Sequence, residues 1–453
     1  MASVIIIFII IFLLSRFYTA NEGPVWFDSL EYLSRFADPN FWTALSKGHY
    51  PLHAGYILVF KYLPLIPAQI ILGLFGIISF YKLTKSKTAT IIASLLPIVW
   101  ISQTTVMMEA AYVPLFLISL YLFKTKRYFF ASVFFSLSLL THLAVLLWIP
   151  LILFYNLKSW KWILFSVLIT SLVNAYLISP NIILGLKEVY LSKAGEHVQF
   201  TNIFVLLRNF IIPLLRNNTS LIVILAGFSL FKKRKLFFLN ILWLGPALIA
   251  NQWWDSLFFG RHAMIASFGL SLMAANLLAN HRFLISITIT YLLLTVVLTV
   301  SLLRQPIPYL EVANQIKNLP GRGVLIDSHL ARPQTTNVYL GKTIYVNEPG
   351  WKFETGEPLF VTTAALSDPY GLYNGPYLHS LSLSYKDPPS LYKYLGNKYF
   401  QKISEDIYKV SENGIPYPKT NLYFSDKRLD FYDPISQLWI KAVGNNNFFQ
   451  NLY

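Results

Sequence analysis

The chain has 453 residues, 55% of them hydrophobic and 13% charged, with a mean hydropathy of +0.51 and a formal net charge of +16. A soluble domain carries about 25% charged residues, so an ordinary soluble globular protein is excluded and lipid is the main solvent. A nucleic-acid partner is excluded as the reason for the basic excess, because the lysines and arginines sit in short clusters between apolar runs, the pattern of positive-inside topology.

In chain order, the first apolar run, Ala2 to Leu14, lacks a charged leader and is followed by a poor cleavage sequence at Tyr18-Thr19-Ala20. It reads as an uncleaved first helix rather than a signal peptide. Runs long enough to approach a bilayer crossing then follow, giving expected spans at 2–19, 67–83, 89–107, 110–123, 128–141, 143–157, 162–180, 219–231, 236–250, 262–279 and 283–303. Pro97, Pro114, Pro150 and Pro246 fall inside them as expected kinks or breaks.

Basic clusters mark one side. Lys82, Lys85 and Lys87 follow the second span, Lys124, Lys126 and Arg127 the fourth, and Lys158 and Lys161 the sixth. Lys232, Lys233, Arg234 and Lys235 follow the eighth, and Arg282 the tenth. These read as cytoplasmic, with the N-terminus inside. The acids before residue 305, namely Glu22, Asp28, Glu31, Asp38, Glu109, Glu188, Glu196 and Asp255, then all fall outside.

Two outer loops, 20–66 and 181–218, are long. Leu52–Ile66 in the first is apolar, but counting it as a span would invert every later loop, so a surface-lying helix is expected. From Gln305 onward the chain turns polar and rich in Pro, Gly, Tyr and Asp. A helix is expected at 310–318, and strands at Gly323–Asp327 and Thr343–Val346. The expected fold class is thus a polytopic α-helical membrane protein of about eleven spans, residues 1–304, with a soluble extracytoplasmic α/β domain over 305–453. The absence of cysteine fits an external domain without disulfides and a bacterial or archaeal plasma membrane.

No phosphate loop, dinucleotide fingerprint, nucleophile elbow or zinc spacing is present. What remains is a set of polar residues at outer helix ends. Asp28 and Glu31, three apart in Trp26-Phe27-Asp28-Ser29-Leu30-Glu31-Tyr32, are a candidate general base and its neighbour, or half a metal site. The competing reading is a pair of first-turn acids favoured by a helix dipole. Glu109 is a lone acid between two apolar spans, either functional or an ordinary turn residue. His142 stands at the outer turn after Thr141 and is as readily a packed residue as a ligand. Arg261-His262 opens a late span, where a guanidinium suits a phosphate or anchors at the interface. Arg208 and Arg216 lie in the second long loop. His49 and His53, four apart, flank Pro51, which favours a loop over a helical metal site.

Taken in order, these pieces resemble the GT-C superfamily of membrane glycosyltransferases, above all the bacterial relatives of protein O-mannosyltransferases and of lipid A aminoarabinose transferase. Asp28 matches the acid after helix one, His49-Tyr50-Pro51-Leu52-His53-Ala54-Gly55-Tyr56 the run that opens a juxtamembrane helix, and Glu109 the acid of the second outer loop. Arg261-His262 takes the place of a late Arg-Tyr-like pair, and Thr141-His142 departs from a Leu-Thr-Lys turn. The resemblance spans the organisation of 1–304. It implies a polyprenyl-phosphate-linked monosaccharide as donor, an acceptor lipid, glycan or protein, and inverting transfer. Asp28 would be the base, Glu109 would hold the acceptor or position Asp28, Arg261 with Arg208 or Arg216 would face the phosphate, and Glu31, His49, His53, His142 and His262 would line the substrate. A divalent cofactor stays open. The alternatives are a lipid-linked glycan flippase and a glycan polymerase or ligase.

Overall fold

A computed structural model describes chiefly residues 2–21, 27–46, 53–187, 218–232, 237–250 and 264–304, and, further on, 324–325, 344–345, 358–362 and 397–416. The chain divides into two compact units. The first takes in Met1–Gly23 and Arg35–Arg304, the second Pro24–Ser34 and Gln305–Lys427.

The first unit is helical. In chain order its helices are α1 (Ala2–Thr19), the end of α2 (Phe27–Ala37), α3 (Phe41–Ser46), α4 (Ala54–Phe60), α5 (Leu65–Thr84), α6 (Lys87–Leu95), α7 (Pro97–Thr104), α8 (Glu109–Lys124) and α9 (Tyr128–Thr141). A 3-10 helix, Leu143–Trp148, leads into α10 (Ile149–Tyr155), followed by α11 (Trp160–Ile178), α12 (Ile182–Lys187), α13 (Ser220–Lys232), α14 (Phe237–Ala250), α15 (Met264–Leu278) and α16 (Arg282–Leu303). Among the described residues three helices are long and apolar enough to cross a membrane, Leu65–Thr84, Leu157–Ile178 and Arg282–Ser301. Six shorter apolar helices accompany them. This is the make-up of a helical membrane protein.

Proline decides where two expected spans depart from single helices. The run 89–107 breaks at Leu96, whose extended backbone (φ −61°, ψ 132°) precedes Pro97; the ring of a proline disfavours helical geometry in the residue before it. The run 143–157 starts as 3-10 helix and becomes α-helical at Ile149, with Pro150 in the first turn, where its missing N–H costs nothing. The apolar stretch 52–66 also divides. α4 ends at Phe60, and α5 begins at Leu65 after Pro64. Lys61, between them, donates from Nζ to the carbonyls of Arg35, Phe36 and Asp38 at 3.1, 3.2 and 2.5 Å. It thereby satisfies the C-terminal end of α2, and a charge so engaged does not sit in the middle of a membrane-lying helix.

Small residues let these helices approach closely. A Cβ on Gly76 of α5 would stand 2.8 Å from Cα and Cβ of Pro114 in α8, and one on Gly73 would stand 2.7 Å from Nε2 of Gln103 in α7. Gly55 brings α4 against the end of α9: a Cβ there would meet Leu137 O at 2.5 Å and the Thr141 amide at 2.6 Å. Packing of backbone on backbone through glycine is the usual device where lipid supplies no hydrophobic drive between helices.

In the second unit, β1 (Val324–Leu325), β2 (Ile344–Tyr345), β3 (Phe360–Thr362), β4 (Tyr399–Lys402) and β5 (Ile407–Ser411) form one sheet in the order β2-β1-β3-β5-β4. β1 pairs in parallel with β2 and β3, whereas β5 is antiparallel to β3 and β4. β1 and β2 fall inside the two expected strands. Leu359, Phe360, Val361, Phe400 and Ile407 are buried in this sheet's core. Most of the helix expected at 310–318 lies outside the described residues.

Gly55→Ala is expected to lower stability by about 1–3 kcal/mol, since the methyl group drives backbone from backbone. Gly227→Ala in α13, where a Cβ meets nothing within 4 Å, is expected to be neutral or stabilising. Thermal unfolding of both variants in the same detergent checks this.

Candidate functional site

α7 and α8 meet at a bend of 112° across Thr105–Met108, and the chain there is buried. A helix interrupted inside an apolar body leaves amide and carbonyl groups that only the protein can answer. Gln69 of α5 donates from Nε2 to Thr105 O at 2.9 Å, and the Asn21 amide donates to Thr104 O at 2.8 Å. The Tyr56 hydroxyl in turn donates to Gln69 Oε1.

Glu109 is the first residue of α8 and is 0% exposed. The positive end of the helix dipole favours a carboxylate there. Its charge also bears on Tyr56. Burial, and after it the charge of Glu109, pushes the Tyr56 hydroxyl well above the ordinary value, while the backbone of Met107 acts the other way. Tyr112 follows Glu109 by three positions, which places both on one face of α8.

Two histidines, His53 and His142, gather at the same junction. His53 precedes α4 in the left-handed region (φ 46°, ψ 34°) and is buried. Such backbone is uncommon outside glycine, although histidine is among the residues enriched there. His53 Nδ1 lies 2.7 Å from Thr141 O, at the end of α9. A carbonyl only accepts, so Nδ1 carries the proton and Nε2 is the basic nitrogen of the neutral ring. His142 has the reverse tautomer: its Nδ1 accepts from the Ala144 amide at 3.2 Å and caps the 3-10 helix. The neutral ring therefore carries its proton on Nε2. The two rings stack at 5.7 Å and 12°, and Tyr112 stacks on His142 at 5.1 Å. Ser138 Oγ holds Tyr112 by its carbonyl at 2.7 Å.

A second buried polar group lies along α1. Arg16 is 2% exposed, donates from Nε to Gln103 Oε1 at 3.2 Å and from Nη2 to Ser94 O, and is flanked by the rings of Phe12 at 3.9 Å and Trp100 at 3.8 Å. Ser94 O is a carbonyl freed by the break at Leu96, so the guanidinium serves that break as Gln69 serves the other.

Of the residues singled out from the sequence, Glu109, His53 and His142 come together around Tyr56 and Tyr112. Glu31 is buried in α2, in the part that belongs to the second unit. Asp28 lies in the first turn of the same helix, and its side chain lies outside the described residues, as do His49, Arg208, Arg261 and His262. Tyr56, Gln69, Gln103 and Arg16 were not anticipated. A signal was present for Gln69, a polar side chain alone in an apolar run, and for Arg16, a charge near the end of the first apolar run. Among the described residues no three His, Asp or Glu side chains gather as a metal site requires.

Fold and site together define a helical membrane protein with a buried carboxylate, two stacked histidines and a tyrosine where four helix ends meet. No protein-family model, curated protein or solved structure matches the chain.

Because the folded-state value of Tyr56 is raised, its neutral hydroxyl contributes stability that is fully present below the unfolded value of about 10 and is lost as pH rises through the folded value. Tyr56→Phe is expected to flatten the loss of stability above about pH 10, as unfolding midpoints across alkaline buffers would reveal. His142→Leu removes the cap and is expected to cost about 1 kcal/mol, with His142→Asn retaining most of it.

Proposed function

We propose that the chain is a glycosyltransferase of the GT-C type, which moves a monosaccharide from a polyprenyl-phosphate-linked donor to an extracytoplasmic lipid, glycan or protein with inversion at the anomeric carbon. In this reading the first 304 residues cross a bacterial or archaeal plasma membrane about eleven times, with the N-terminus in the cytoplasm. Residues 305–453 form a soluble outer domain that helps choose the acceptor.

The observation that supports the reading is the fully buried Glu109 beside Tyr56 and the His53–His142 pair, in a largely apolar helical body. Ionisable and hydrogen-bonding groups are costly in such surroundings and mark substrate sites by default.

In the proposed reaction Asp28 takes the proton of the acceptor hydroxyl as its oxygen attacks the anomeric carbon. The bond from that carbon to the phosphate oxygen breaks, and polyprenyl phosphate leaves as an anion that needs no strong acid. Arg261, with Arg208 or Arg216, answers its charge. Glu109 holds the acceptor, and Glu31, His49 and His262 complete the polar lining. One observation favours a second reading. The bend of 112° between two short buried helices is also compatible with the discontinuous helices of membrane transporters, here one for a lipid-linked glycan.

Incubation of the purified protein with polyprenyl-phosphate sugars labelled in the sugar decides between them. Transfer of label with release of polyprenyl phosphate is expected; a folded protein that leaves every donor intact overturns the enzyme reading, and movement of intact donor across vesicles establishes the transporter. Asp28→Asn is expected to lower transfer about a hundredfold or more at unchanged melting temperature. Glu109→Gln is expected to lower it on the order of a hundredfold, and Arg261→Ala to weaken use of the donor more than of the acceptor.

A further inference from the structure

At the end of the first unit away from Glu109, α5, α8 and α10 finish, and α9 and α11 start. Their ends are tied to one another. Lys124 Nζ donates to Leu83 O at 2.8 Å, and Asn156 Nδ2 donates to Phe123 O at 2.8 Å and to the Tyr128 hydroxyl at 3.1 Å. Lys124 Nζ stands 5.3 Å from the ring of Tyr155, and the rings of Tyr128 and Trp162 stack at 6.4 Å.

Cations crowd this end. Lys85, Lys124, Lys126, Arg127, Lys158 and Lys161 are exposed, and partial burial, then the charge of Lys85, pushes the Lys124 ammonium below its ordinary value. From Leu65 to Lys187 the only acid is Glu109, at the far end of α8, roughly 22 Å along a helix of this length. Lys85 (φ 59°) and Lys126 (φ 64°) also end their helices in left-handed backbone, where glycine is the unstrained residue. The chain thus holds like charges together, at positions that local geometry would give to another residue, and that stretch supplies no counter-charge.

The surroundings identify the counter-anion. Phe129, Phe130, Phe154 and Leu157, next to the cations in sequence, are 61%, 59%, 50% and 73% exposed. A free polyanion makes no use of such neighbours. A molecule with a phosphate at one end and hydrocarbon at the other uses both, and the Tyr and Trp rings set the level of a bilayer interface. We propose that this end of the helical unit binds an anionic phospholipid, its headgroup phosphate among Lys85, Lys124, Lys126 and Arg127 and its chains along the exposed apolar side chains. The site is separate from the proposed transfer reaction and does not depend on it.

Spin-labelled phosphatidylglycerol and phosphatidylcholine, compared in phosphatidylcholine vesicles carrying the full-length protein, test the site. The anionic lipid is expected to associate about five- to tenfold more strongly at low ionic strength, with the preference shrinking at high salt. Lys85→Gln/Lys126→Gln/Arg127→Gln, which spares the Lys124–Leu83 bond, is expected to bring the ratio close to one. Equal association of the two lipids with the unaltered protein overturns the proposal, as does an unchanged ratio in the folded triple variant. Displacement of the labelled lipid by millimolar inorganic phosphate overturns it as well, since the site would then belong to a soluble anion.

Discussion

Backbone groups released by broken helices must find partners inside the protein, because lipid offers none. Two breaks set this demand, one at Leu96 and one across Thr105–Met108. At the first, Arg16 reaches from α1 to Ser94 O and Gln103. At the second, Gln69 reaches from α5 to Thr105 O, and Asn21, just beyond α1, closes on Thr104 O. α1, α5 and the two halves around the breaks are thereby held by polar contacts as well as by packing. The same contacts carry Tyr56, and with it α4, to the start of α8, where Glu109 is buried.

From this follows the chemistry of the junction. His53 can hold its ring against Thr141 O because its backbone turns left-handed just ahead of α4, and Gly55 admits the end of α9. Backbone in that region costs of order 1–3 kcal/mol for a residue with a side chain, so the surrounding contacts have to enforce it. His142 meanwhile gives its Nδ1 to a helix cap. Two adjacent imidazoles thus hold opposite tautomers. A buried acid and a hydroxyl held in its neutral form stand beside them.

The two ends of the first unit differ in the sign and burial of their charges. At the Glu109 end the polar groups are few, buried and mutually engaged. At the Lys124 end they are many, exposed and of one sign, edged by aromatic rings and bare apolar side chains. Solvation explains the contrast: a buried charge has to be matched by specific partners, whereas a lysine at an interface keeps its ammonium wet and its stem in hydrocarbon.

Much of this was legible in the residues themselves. Apolar runs located the helices, Pro97 and Pro150 marked where two of them change course, basic clusters singled out one set of helix ends, and Val324–Leu325 and Ile344–Tyr345 lie in segments that read as strands. All of these are local signals, carried by neighbours in the chain. Glu109, His53 and His142 were also visible as candidates, but not their meeting. That depends on contacts such as Arg16 with Gln103 and His53 with Thr141, 87 and 88 residues apart. The histidine tautomers, the convergence of Tyr56, Gln69 and Glu109, and the division of α2 between two units were decided by tertiary structure alone. Composition says which side chains must avoid lipid. Only the packing of distant helices says which of them answer one another.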